Sequence, residues 1–166
     1  AFYPFWDAVA ALQIPVFWVF LGDSPVGGFK EEMGLFRKWL ERYPHIPSVL
    51  VHGLPTALFA DAQDRIIIPD YMLEILRDYP VYSEVLYPIG WGGKSEYPYT
   101  RAQNHIRALY EQLGPDYLIW GSDMPNVERY CTYRQSLSYI EHCDFLGPDD
   151  RRKILGATMR ALCGQT

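Results

Sequence analysis

Asp123 follows the apolar run Tyr117-Leu118-Ile119-Trp120 and stands in Gly121-Ser122-Asp123-Met124-Pro125-Asn126, a turn-forming stretch. His52 ends Val49-Leu50-Val51 and precedes Gly53. A carboxylate and an imidazole in such places can serve as general base, general acid or metal ligand, because ligands and chemistry gather at the carboxyl ends of parallel strands. Each also has a plainer reading. Asp123 could cap its own turn, and a lone histidine is commonly structural. Glu84 interrupts a third apolar run, Val81 to Leu86. A carboxylate in a buried strand is costly to desolvate unless it is paired or metal-bound. Glu84 is therefore a candidate ligand or proton carrier, although an exposed edge strand explains it equally.

Other residues offer less. His45 lies in a helix-to-strand turn, at the wrong end of a sheet for chemistry, while His105 and His142 lie on helical stretches facing solvent or helix contacts. In the loop after Asp123, Cys131 could reach the mouth, although a buried inert thiol is its default. Arg129 in the same loop could bind an anionic substrate or simply lie on the surface. Gly90-Trp91-Gly92-Gly93-Lys94 lacks the spacing of a phosphate loop. It reads better as a lid whose Trp91 contacts substrate.

The elements that must position these groups are legible as an alternation. Pro15 to Phe20, Ser48 to His52, Val81 to Leu86 and Tyr117 to Gly121 read as strands, each entered through a nearby proline that sets an extended start. Phe29, Met33, Phe36, Leu40 and Tyr43 form one apolar helical stripe. A weaker pattern covers 69–79, and Ile106, Leu109, Tyr110 and Leu113 carry the next. Two further helices are expected near 132–143 and 149–163, the last with Pro148 at its head. Strand–helix alternation means βα units and a parallel sheet. Long connections follow the strand ends and short ones lead back, an asymmetry characteristic of (β/α) barrels. A full barrel has eight units and four are present, so the chain is either half a barrel or a small open α/β sheet. Residues 1–166 form a single domain with no linker.

Composition narrows the function classes. Net charge is −5 and no basic run exceeds Arg151-Arg152-Lys153, which disfavours nucleic-acid binding. No apolar stretch approaches a membrane span, and the opening Ala1-Phe2-Tyr3-Pro4 carries no basic n-region, so no signal peptide is expected here. Three cysteines without paired spacing point to a reducing, cytoplasmic setting. Aromatics reach 16%, which suits a crowded core or an aromatic-lined pocket for a small-molecule substrate. The chain opens without Met on what reads as a helix already under way, so a piece of a longer protein is expected.

Taken in order, Ile14-Pro15-Val16-Phe17-Trp18, Val51-His52-Gly53, Arg77-Asp78-Tyr79-Pro80, Leu113-Gly114-Pro115-Asp116 and Trp120-Gly121-Ser122-Asp123-Met124-Pro125 resemble the C-terminal half of the amidohydrolase-related (amidohydrolase 2) family. The continuation Asn126 to Gln135 is similar to one subgroup of it. That family contains metal-dependent hydrolases and decarboxylases on a TIM-barrel fold. The resemblance implies that the four strands are the fifth to eighth of a barrel. Asp123 would then match a metal ligand that also handles the proton of attacking water, and His52 a catalytic histidine near the metal. A divalent cation, zinc by preference, is implied as cofactor, since it lowers the pKa of bound water and polarises a carbonyl.

Two departures follow. The family's paired first-strand histidines have no counterpart, and valine, Val19, stands where a fifth-strand histidine is expected. Asp123 and His52 are too few for a zinc site unless Glu84 or an absent half adds to them. The expected function is a metal-dependent hydrolase or decarboxylase acting on a small organic acid or cyclic compound. The alternative is a catalytically silent barrel half that assembles with itself, as open sheet edges would favour, or with the missing N-terminal half. A flavodoxin-like domain is a third reading, weakened by the lack of a phosphate loop.

Overall fold

A computed structural model describes residues 2–20, 27–86 and 96–164. Within it four strands form one parallel sheet in chain order: β1 (Val16–Val19), β2 (Ser48–Val51), β3 (Val81–Val85) and β4 (Leu118–Trp120). Pairing runs Val16 to Ser48, Ser48 to Val81 and Ser83 to Leu118, so the strand ends that carry His52, Glu84 and Asp123 come side by side. All four expected strands are present, each trimmed by a residue or two. The parallel order without reversal is the arrangement of half a (β/α)8 barrel.

Helices fill the intervals for reasons visible in their sequences. Helix α1 (Tyr3–Leu12) has Pro4 in its first turn and lays Trp6 on Trp18 of β1, with ring centroids 5.2 Å apart. Helix α2 (Phe29–Arg42) buries Phe29, Met33, Phe36 and Leu40 on one stripe. Glu31 and Glu32 in its first turn and Arg42 in its last complement the helix dipole. A short helix, α3 (Thr56–Phe59), breaks the connection after β2, and α4 (Asp70–Asp78) follows. Helix α5 (Thr100–Leu113) buries Ala102, His105, Ile106, Leu109 and Leu113. Helix α6 (Tyr133–Glu141) starts on a capping box in which Thr132 and Gln135 satisfy each other's backbone N–H groups.

The final helix departs from the single run expected over 149–163. It begins as α7 (Pro148–Arg152), widens through Lys153–Ala157, and resumes as α8 (Thr158–Leu162). Gly156 sits at φ 153° within the widened turn, a conformation that only glycine adopts without strain.

The two faces of the sheet differ. Leu50, Val81, Val85 and Leu118 join the helices' buried residues in one core, with Trp18 and Trp120 packed against it. The opposite row includes Phe17, Val19, Val49, Glu84 and Ile119. Val49 and Ile119 are buried but stand apart from that core, while Phe17 and Val19 are 53% and 54% exposed. Among the described residues, helices therefore cover one face rather than both. The other face, apolar and half open, is the side that would line a barrel interior. Among the described residues no helix is long and apolar enough to cross a membrane.

The long connection after β2 is pinned to α5 at two points. Gln112 accepts from the Ile68 N–H at 3.0 Å and donates to the Ile66 carbonyl at 2.8 Å. Asp64 takes two bonds from the Arg101 guanidinium at 2.6 and 2.7 Å, with buried His105 3.6 Å away. The hydrogen bonds from Arg101 hold the Asp64 carboxyl at about 2, below its ordinary 3.8. A carboxylate with a lower pKa when folded stabilises the fold above its unfolded value and loses that contribution as pH falls towards the folded one. Asp64→Asn is thus expected to lower the denaturant midpoint relative to wild type at about pH 5, with the gap closing between about pH 4 and pH 2. Equal midpoints at both ends of that range would show that the pair contributes nothing.

Candidate functional site

Strand β2 ends in a tight turn. The Gly53 N–H donates to the Leu50 carbonyl at 3.1 Å, and His52 adopts φ 66° with Gly53 at 71°. At the end of β4 the Gly121 N–H continues the ladder to the Val85 carbonyl at 3.1 Å. Ser122 Oγ then accepts from the Met124 N–H at 3.3 Å, and Asp123 turns to φ 52°. Its carbonyl accepts from the Val127 N–H at 3.2 Å, opening the short 3-10 turn Asn126–Arg129. Side chains other than Gly, Asn and Asp rarely enter this left-handed region, where a Cβ costs ~1–2 kcal/mol. His52 and Asp123 are both held there, at the carboxyl ends of two strands of one sheet. Strain of this kind, which falls on His52 because Asp tolerates the region, concentrates at functional sites.

Glu84 lies between them. Its strand is the third in an order of four, so an exposed edge does not explain the residue. Its Oε2 accepts the His52 backbone N–H at 2.5 Å. Its other oxygen lies over Gly121: a Cβ on that glycine would fall 1.6 Å from Glu84 Oε1 and 2.4 Å from Cδ. Burial raises the Glu84 pKa above the ordinary carboxyl value. The His52 N–H and the positive potential of His52 oppose this, while the negative charge of Asp123 adds to it. Desolvation wins over the hydrogen bond, as expected when one bond worth ~1.5–3 kcal/mol meets a burial cost of several. With Glu84 paired to Ile119 and bonded to the His52 N–H, the neighbouring ends of β2, β3 and β4 bring the three groups to one mouth.

The donor set is narrow. Val19, at the end of β1 and on the Glu84 side of the sheet, offers only hydrocarbon. Asp123 Oδ1 accepts from the Asn126 side chain at 3.3 Å, so part of its capacity serves its own turn. Among the described residues no three His, Cys, Asp or Glu side chains are grouped to hold a metal ion. These residues alone do not fit a metal centre.

Trp91 lies outside the described residues. Arg129 is exposed and lines a cavity of ≈ 370 Å³ with Tyr130, Cys131 and Tyr133, none of them a strand-end residue. His142 pairs with the Tyr97 hydroxyl at 2.8 Å, and His105 is buried in α5 beside Asp64. Burial raises the Cys131 thiol and pushes Cys143 up to about 12, so neither is a ready thiolate. Another cavity, of ≈ 450 Å³, opens beside β1 between Trp6, Trp18, Val19, Phe36 and Trp39, and neither His52 nor Asp123 lines it. Gly121 is the participant that sequence reading missed. Its need for a missing Cβ depends on which residue of β3 lies beside it, and register is not written in a run of apolar residues.

The amidohydrolase family model (Amidohydro_2) matches residues 1–163. Among curated proteins there is no match. Of solved structures, an amidohydrolase from Burkholderia multivorans with bound Zn is similar at TM-score 0.70 and 18% identity, over 96% of this chain and 57% of its own. An Agrobacterium tumefaciens protein, ATU3138, in its apo form is similar at TM-score 0.59 and 18% identity, over 97% of this chain and 56% of its own. A dihydroxybenzoic acid decarboxylase from Polaromonas sp. JS666, with bound manganese and the inhibitor 2-nitroresorcinol, gives TM-score 0.56 and 14% identity, over 97% and 53%. The chain spans little more than half the length of each.

The left-handed conformation at Asp123 yields a direct expectation. Asp123→Asn, which tolerates this region, leaves stability within ~0.5 kcal/mol, while Asp123→Val costs ~1–2 kcal/mol. Urea unfolding of the two variants distinguishes them, and equal stabilities would count against a strained strand end.

Proposed function

The chain belongs to the amidohydrolase family, and from that premise we propose that residues 1–166 are the C-terminal half, strands five to eight, of a barrel hydrolase or decarboxylase acting on a small organic acid or cyclic compound. The observation that carries this reading is the meeting of His52, Glu84 and Asp123 at the carboxyl ends of three neighbouring parallel strands. Asp123 is suited to accept the proton of an attacking water. His52 is suited to return a proton, to a leaving group in hydrolysis or to the carbon that departing CO2 leaves behind in decarboxylation. Arg129 and Trp91 are the residues proposed to meet the substrate's acid group and ring.

A divalent cation is supported by the Burkholderia and Polaromonas structures, one with Zn and one with manganese. Asp123 is the ligand this half would contribute, and the others must come from beyond the described residues. The presence of Val19 where a histidine is expected, with no group of three donors among the described residues, favours a second reading: a silent half that serves assembly. One set of assays separates the two. On the full-length protein, with small carboxylic acids and lactones as substrates, Asp123→Asn and His52→Gln are expected to lower kcat by ~10²-fold or more. A chelator should abolish turnover and Zn or Mn restore it. Turnover that survives both substitutions would refute the proposed roles, and a full-length protein that binds no metal and turns over nothing would favour the silent half.

A further inference from the structure

Its place in an apolar strand marks Glu84 as a metal ligand or proton carrier, yet its contacts describe a different task. One oxygen is spent on the His52 backbone N–H and the other packs over the Gly121 Cα. We propose that Glu84 is a positioning residue: its carboxylate ties the end of β2 to the end of β4, and so sets the direction in which the His52 imidazole enters the mouth beside Asp123. This rests on the reading of His52 and Asp123 given above.

Three observations converge on it. The bond goes to the amide of His52 itself, the residue whose left-handed turn has to be held. The carboxylate reaches across from a neighbouring strand 32 positions away in sequence, so it couples two strand ends that no ladder bond joins beyond Val51. Finally, residue 121 is glycine although its backbone needs no positive φ, and the reason is steric: the place of its Cβ is filled by the Glu84 side chain. The sequence thus gives up a side chain on β4 to admit a carboxylate from β3. A half-buried carboxylate kept at such a cost serves geometry rather than stability.

The Gly121 contact supplies a test that does not rest on removing Glu84. Gly121→Ala evicts the carboxylate from its seat while leaving it chemically intact. Glu84→Gln keeps an oxygen for the His52 N–H, and Glu84→Ala removes it. In the full-length protein, Glu84→Ala and Gly121→Ala are both expected to lower kcat by ~10-fold or more with KM changed less than ~3-fold, because orientation of a proton carrier acts on the chemical step. Glu84→Gln is expected to retain most of kcat.

A ligand or a proton carrier would fail with Gln as it does with Ala, so equal losses in Glu84→Gln and Glu84→Ala overturn the proposal. So does an unchanged kcat in Glu84→Ala. Stability provides a readout independent of any activity. In the Glu84→Ala background the methyl group that Gly121→Ala adds has room, so the double variant should unfold at the same denaturant midpoint as Glu84→Ala alone. Additive shifts would show that the two residues do not share the seat, and would overturn the geometry even if no substrate were found.

Discussion

A carboxylate on an interior strand of a parallel sheet is the constraint around which this mouth is arranged. Glu84 cannot leave water cheaply, and a single backbone N–H offsets only part of the cost, so its pKa stays above the ordinary range. Three neighbouring choices follow from keeping it. The strand beside it ends in glycine because there is no space for a Cβ. His52 turns into the left-handed region with its amide aimed at Glu84 Oε2. Asp123 stands one turn further on, close enough for its charge to be felt. Local strain, a half-buried carboxylate and a missing side chain each disfavour the fold. Together they bring His52, Asp123 and Glu84 to one rim.

The scaffold that bears this cost is one-sided. Helices α2, α4, α5 and the last helix bury a continuous core against Leu50, Val81, Val85 and Leu118, and aromatic rings of α1 and α2 close over Trp18. Two polar tips inside the core are matched to carbonyls: Trp120 donates to the Ser136 carbonyl at 2.9 Å and the Tyr139 hydroxyl donates to the Leu86 carbonyl. The face that carries Glu84 has no such cover at its β1 end. Burial is concentrated on the helical side, and the opposite, half-open face is the one that would line the interior of the family's barrel, with the rim residues at its carboxyl end.

Periodicity made the skeleton legible. Phe29, Met33, Phe36 and Leu40 announce their helix, and proline entries mark each strand, because both signals are local. Asp123 and His52 were visible for the same reason: each is a chemical side chain beside a turn former after an apolar run. What could not be read was lateral. Gly121 looks like a turn residue until Glu84 is placed beside it, and the contacts of Glu84 with the His52 amide and Gly121 cannot be read from its own strand. The break at Gly156 was hidden too, since apolar spacing on either side suits one continuous helix. Nor does alternation in the strands say that only one face is covered: a row facing a barrel interior and a row facing helices are equally apolar.

The rim depends on Glu84 holding His52 by its backbone, and the exchange rate of the His52 amide proton measures that bond directly. His52 is exposed and lies past the last residue of β2, so no ladder bond protects its N–H. The Glu84 bond predicts exchange slowed by ~10²-fold or more relative to an open loop amide, which NMR on the folded protein would record. Exchange at the rate of an unprotected amide would contradict the account.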